Sequence, residues 1–274
     1  MKRRALLLLL ASSACRRQGA EQQPFTLGLL RAAQQSGQAS EADVERSLTE
    51  LWHLADMARA ALATRRHQPE ATVIAELVFG RLGFQREVDD PALDFVFLPG
   101  VLRRRRGSCV GLGTLVLALS EQLGWSAAGV MMPGHFYVRL DDGRQHCNLE
   151  LLHAGQLMPD AWYTARFPIA GGTAPEYARP LRAREVLGVL AYNLGNERRR
   201  AARIQEARAA FSQAVALFPD FSEAHASLGA VQHLLGQLEP AASSYRAALE
   251  KYPQLPGLRK NIALLDAERG LPTF

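Results

Sequence analysis

A cysteine, a histidine and two polar residues recur in an order that suits nucleophilic chemistry. Cys109 follows Gly107-Ser108 at the head of one apolar run, and His135 follows Gly134 at the head of another. Asn148 and Glu150 come after an Asp142-Gly143 turn signal. A thiol, an imidazole and a carboxamide or carboxylate are what a cysteine nucleophile, its base and the base's orienting partner require. In that reading Cys109 attacks a carboxamide or peptide carbonyl as the thiolate. His135 takes the proton and returns it to the leaving amine, and Glu150 or Asn148 fixes the imidazole tautomer.

Two elements must position these groups. The first is a helix. Ser108 suits an N-cap, Leu112, Leu115, Val116, Leu119 and Leu123 recur at helical spacing, and Gly124 stops the run. Cys109 then lies in the first turn, where unpaired N–H groups and the helix dipole favour a thiolate and can hold an oxyanion. Gly111 and Gly113 leave little bulk beside it. An isolated cysteine is usually a small buried hydrophobe; the helix start and the following histidine favour the nucleophile here.

The second element is a hairpin closing on Asp142-Gly143. A two-residue turn pairs Leu140 with Gln145, Val138 with Cys147, Tyr137 with Asn148 and His135 with Glu150. Alternation puts Phe136, Val138, Leu140, Cys147 and Leu149 on an apolar face, and His135, Tyr137, Asn148 and Glu150 on the other. Cys147 then points to the core, which disfavours a Cys109–Cys147 disulfide. The run Arg103 to Arg106 precedes the nucleophile. It reads mainly as a solvated face with one or two arginines in ion pairs, the other reading being a positive field on the thiolate.

Among its 274 residues, 48% are hydrophobic and 22% charged, enough for one large or two smaller domains. Three cysteines without a CxxC pair exclude a disulfide scaffold or structural zinc, and no cofactor or metal is implied. Residues 1–15 look like a leader. Lys2-Arg3-Arg4 precedes an apolar run from Ala5 to Ala11, then Ser12-Ser13-Ala14 and Cys15. The cysteine makes a lipoprotein-like signal, with cleavage before a lipidated Cys15 and anchoring in the cell envelope. Removing residues 1–14 takes three of the five net positive charges and leaves +2. The basic balance therefore does not imply nucleic acid.

Residues 16–39 read as a tether leading into a first helix. Helices are expected over Glu41–Arg65, with a Ser40/Asp43 capping box, and over Pro69–Leu82, followed by a loop-rich stretch from Gly83 to Leu102. After Leu181 the chain is rich in Ala, Leu and Arg. Leu194-Gly195, Ala207, Phe211, Ala214 and Pro219 recur as Leu228-Gly229, Ala241, Tyr245, Ala248 and Pro253, each 34 residues on. That is the period of a tetratricopeptide repeat, with Pro256 to Arg269 as a capping helix.

The order ELVFGRLGF, DDPALDFVFLPGVLRRRRG, EQLGW, GVMMPGHFYVRL and NLELLHAGQL resembles the SirB family of bacterial proteins. The resemblance implies a transglutaminase-like, papain-related core over about 40–165, followed by helical repeats. It also assigns Glu150 to the third site position, since Glu150-Leu151 stand where the family usually has Asp-Pro. The expected fold is α+β, with an N-terminal helical lobe on the core and an all-α repeat domain after it. The expected boundaries are leader 1–15, tether 16–39, core 40–180 and repeats 181–270. The expected partners are a protein or peptide on the repeats and a membrane at Cys15. Cys15→Ser is expected to release the protein from the membrane fraction, with mass spectrometry showing a mature N-terminus at Cys15 in the wild type. An unmodified Met1 in the soluble cytoplasm would refute the leader.

Overall fold

The computed structural model describes residues 24–64, 69–141, 143 and 145–270. The expected leader, Cys15, the first part of the expected tether, Arg65 and Asp142 lie outside them. Two compact units emerge, and neither is continuous in sequence. The first takes in residues up to Val88, Asp94–Ala128 and Val138–Leu157; the second takes in Asp89–Leu93, Gly129–Tyr137 and Met158 onward.

In the first unit, α1 (Phe25–Gln35) occupies part of the expected tether, and Leu29, Leu30 and Ala33 are buried on its inner face. The tether reading therefore does not extend to these residues. The start of α1 is capped from far along the chain, because Phe25 and Thr26 N–H donate to the Glu121 carboxylate at 2.6 and 2.8 Å. The capping box of α2 (Glu41–Thr64) forms as its sequence suggests: Ser40 N–H donates to Asp43 and Asp43 N–H to Ser40 Oγ. Hydrogen bonds from Ser40 and Arg46 hold the Asp43 carboxyl well below the usual range. Helix α3 (Glu70–Ala75) widens into a π-helical stretch, Glu76–Arg81. The stretch expected to be loop contains a 3₁₀ turn, Leu93–Phe95, and α4, Leu98–Arg104. Pro99 lies in the first turn of α4, where its missing N–H costs nothing. Strands β1 (Gln85–Arg86) and β2 (Arg106–Gly107) pair in parallel just before α5 (Cys109–Leu123).

A four-stranded sheet follows in the order β3 (Ser126–Met132), β4 (His135–Asp141), β5 (His146–Glu150) and β6 (Gln156–Met158). The register differs from the expected one. Val138 pairs with Leu149, Arg139 with Asn148, Leu140 with Cys147 and Asp141 with His146. The pairing is shifted by two residues, and four residues rather than two connect the strands. Because side chains alternate with period two, an even slip leaves every residue on its expected face.

In the second unit, residues 129–131 pair with 178–181: Ala178 N–H donates to the Met131 carbonyl and Leu181 N–H to that of Gly129. Helix α6 is Asp160–Arg166. Beyond it run α7 (Ala183–Arg200), α8 (Ile204–Leu217), α9 (Ser222–Leu234), α10 (Leu238–Lys251) and α11 (Leu258–Glu268). The positions repeating every 34 residues make equivalent contacts. A Cβ on Gly195 would come within 2.6 Å of the Phe211 ring, and one on Gly229 within 2.6 Å of the Tyr245 ring. Each glycine lets one helix of its pair close onto the aromatic ring of the next. Ala207, Ala214, Ala241 and Ala248 are fully buried at the same interfaces.

Buried carboxylates tie this unit together. Glu185, in the first turn of α7, accepts from Arg179 and Arg182. Burial raises its pKa, but those guanidinium bonds outweigh it and hold the group at about 2. Consecutive residues Glu176 and Tyr177 clasp consecutive residues Ser222 and Glu223. Ser222 N–H and hydroxyl donate to Glu176, which caps α9, and the Tyr177 hydroxyl donates to Glu223 at 2.5 Å. Burial pushes both of these carboxyls up. A carboxyl raised on folding binds its proton more tightly in the folded state, so it favours folding at low pH and loses that contribution as pH rises through its folded value. Glu223→Gln keeps an acceptor for Tyr177 without the charge. It is expected to raise Tm at pH 8 by roughly 2–4 °C per kcal/mol of relieved penalty, and to leave Tm at pH 4 nearly unchanged. Equal shifts at both pH values would contradict this assignment.

Candidate active site

The placement of Cys109 begins with two backbone carbonyls. Asp94 and Phe95, in the 3₁₀ turn, each present a carbonyl oxygen to a glycine. A Cβ on Gly100 of α4 would lie 2.3 Å from the Asp94 oxygen, and one on Gly111 of α5 would lie 2.1 Å from the Phe95 oxygen. Neither position tolerates a side chain. The Phe95 oxygen also accepts from Ser108 N–H at 2.7 Å. Ser108 Oγ in turn accepts from Gly111 N–H at 3.2 Å, completing the expected cap, and Gly124 ends the helix in the left-handed conformation. Cys109 is thus the first residue of a fifteen-residue helix, half-buried and a free thiol. Cys147 is also free and half-buried rather than fully in the core.

The arginine run is more structural than expected, because all four members are paired. Arg103 and Arg104 both reach Asp94, at 2.7 and 2.8 Å. Arg105 bonds Glu50 at 2.5 Å and lies over the Phe84 ring at 4.8 Å, and Arg106 bonds Glu87 at 2.7 Å. Burial raises the Asp94 pKa, but bonds from Arg104 and Arg103 more than reverse this and hold it below its ordinary value. The paired acids offset the charge of the run, so it does not act as an open positive field.

On β5, Asn148 is buried and its Oδ1 accepts from Arg139 Nε at 2.8 Å. Arg139 sits two and four residues beyond Tyr137 and His135, so the same alternation that found those residues could have found it. Glu150 is fully buried, and its carboxylate caps the 3₁₀ turn Leu151–His153, accepting from Leu152 N–H at 2.9 Å with His153 Nδ1 at 3.7 Å. Both candidate orienting groups therefore also perform structural work within the first unit.

His135 belongs to the second unit, where it is 7% exposed. Its ring stacks on Phe167, with centroids 4.3 Å apart and planes 7° from parallel. Two residues on, Tyr137 stacks on Tyr163 at 3.7 Å. The sequence reading missed Tyr163 and Phe167, whose only signal was two aromatics four apart around a short helix. The four candidate residues are thus divided, with Cys109, Asn148 and Glu150 in the first unit and His135 in the second. Among the described residues, no cluster of three or more His, Cys, Asp or Glu could hold a metal, and no helix is long and apolar enough to cross a membrane.

Comparison with known proteins assigns the class. Residues 45–190, more than half of the chain, match the model of the transglutaminase-like superfamily, and the chain belongs to that family. A stretch of 82 residues is 32% identical to the human protein O-mannosyl-transferase TMTC1, covering 30% of this chain and 9% of that protein's length. Menin is a distant structural neighbour at 12% identity, with the match covering 88% of this chain and 75% of menin at a TM-score of 0.39.

Gly111→Ala is expected to cost roughly 1–3 kcal/mol, as overpacking does. Gly80→Ala, where a Cβ would meet nothing within 4 Å, should be neutral or stabilising by up to about 1 kcal/mol. Urea midpoints of the two variants test this, and equal effects would contradict the packing account of Gly111.

Proposed function

We propose that this chain is a cell-envelope cysteine hydrolase or acyltransferase acting on carboxamide or peptide bonds. The observation that carries the reading is Cys109, a free thiol opening a capped helix in a chain of the transglutaminase-like superfamily. The Cys109 thiolate attacks the carbonyl carbon, its proton having passed to His135. The carbon–nitrogen bond breaks, and the departing amine takes the proton from His135, leaving a thioester on Cys109. Water or a second amine then attacks the thioester and releases the thiol. N–H groups at the head of α5, including that of Cys109, stabilise the oxyanion. Glu150, or Asn148, orients the imidazole.

The 34-residue periodicity supports a SirB-like arrangement in which tetratricopeptide repeats hold a protein or peptide partner, with no role for nucleic acid. The leader supports export and lipidation at Cys15, which would give a membrane anchor.

A second reading has its own support. Asn148 and Glu150 are each already committed to a structural hydrogen bond. On that basis the core is a non-catalytic scaffold and the repeats alone carry the function.

A chloroacetamide probe separates the two readings. The wild type is expected to label faster at Cys109 than at Cys147, Cys109→Ala to lose that fast labelling, and His135→Gln to label at Cys109 at least about 100-fold more slowly, the lower range of a general base's contribution. Labelling that persists in His135→Gln at the wild-type rate would remove the enzyme reading.

A further inference from the structure

The second unit holds His135 in a two-rung aromatic ladder. Along β4, residues 135 and 137 share a face and are about 6.7 Å apart, two strand rises. Along a helix, residues four apart share a face and are about 6.0 Å apart. These spacings match closely enough for Tyr163 of α6 and Phe167, at the end of the same helix, to meet both strand residues together. Tyr163 stacks on Tyr137 at 3.7 Å and 18°, and Phe167 stacks on His135 at 4.3 Å and 7°.

The Tyr137–Tyr163 rung anchors the helix. Both rings are almost wholly buried among Val130 and Met132, with Met158, Trp162 and Ile169 around them. Trp162 meets Tyr163 and Phe167 edge-on, at 5.0 and 6.1 Å, which fixes the helix end. The second rung differs because one of its rings is an imidazole. The outer torsion of a histidine side chain is broad and roughly twofold on its own. A ring lying flat on Phe167 loses that freedom, and its two nitrogens can point only edge-on, in a plane parallel to the phenyl ring.

We propose that Phe167 is the positioning residue of His135: its ring sets the plane of the imidazole and thereby the direction in which the base accepts its proton. This deepens the base role proposed above and rests on it. Another aromatic at position 167 should preserve the plane, whereas an aliphatic side chain of similar volume should fill the space without holding it.

The test uses the full chain labelled on histidine, with His135→Gln assigning the ring signals. In the wild type, ring current from Phe167 should move the His135 carbon-bound protons upfield of the other histidines. Phe167→Leu should return them, and Phe167→Tyr should keep them. In chloroacetamide labelling of Cys109, Phe167→Leu should lower the limiting rate about 2- to 10-fold, the factor that an aromatic pair's contribution converts to. The half-saturating probe concentration should not change, and Phe167→Tyr should restore the rate. Wild-type labelling that Phe167→Leu leaves unaltered overturns the positioning role alone. An unlabelled wild type overturns the proposed function, and with it this role. If Phe167→Leu does not fold, the wild-type spectrum decides, because unshifted His135 protons overturn the stack as the source of orientation.

Discussion

The first unit depends on the close approach of two neighbouring carbonyls to two glycines. Asp94 and Phe95 offer their oxygens to Gly100 of α4 and Gly111 of α5, and each glycine sits where a single methyl group would collide. The approach lets Ser108 bond the Phe95 carbonyl and cap α5 in the same step. Cys109 directly follows that cap and lies two residues before that glycine, so its place at the helix head follows from the packing of a turn some fifteen residues earlier. The Asp94 side chain completes the arrangement by taking Arg103 and Arg104, which joins the turn to the end of α4.

The second unit solves its packing differently. Glycine meets an aromatic ring every 34 residues, at Gly195–Phe211 and again at Gly229–Tyr245, with alanines filling the rest of each interface. Its acidic groups are of two kinds. Glu185 is held ionised by two arginines, whereas Glu176 and Glu223 each take a single hydroxyl, from Ser222 and Tyr177, and Glu176 Oε2 is buried without a hydrogen-bond partner among the described residues. The two kinds of site respond oppositely to pH. The Glu185 contribution is lost as pH falls toward about 2, and that of the raised pair is lost as pH rises.

What was legible in the sequence was what local chemistry decides. The Ser108 cap, the Gly124 stop, the Ser40/Asp43 box and the 34-residue repeat are each written in a few neighbouring or evenly spaced residues. The hairpin shows a subtler kind of legibility. Its turn was misplaced, yet the slip was of two residues, so Asn148 stayed on its expected face, where it pairs with Arg139. Helix α4 was missed because Pro99-Gly100 reads as a breaker, although here the proline starts the helix and the glycine admits the Asp94 carbonyl. The partners Glu50, Glu87 and Asp94, and the stacking of Phe167 on His135, were beyond reach for a common reason. Each requires knowing which distant segments meet, and that is settled by tertiary packing rather than by propensity.

The central claim is that Cys109 forms a thioester during turnover. The most direct measurement is to incubate the protein with a p-nitrophenyl ester of an N-acylated peptide, quench in acid, and map the acyl group after trypsin. Cleavage at arginine separates residues 107–139, which carry Cys109, from residues 145–166, which carry Cys147. The account predicts a stoichiometric acyl adduct on Cys109, absent in Cys109→Ala and strongly diminished in His135→Gln. No adduct, or one shared equally between Cys109 and Cys147, would contradict it.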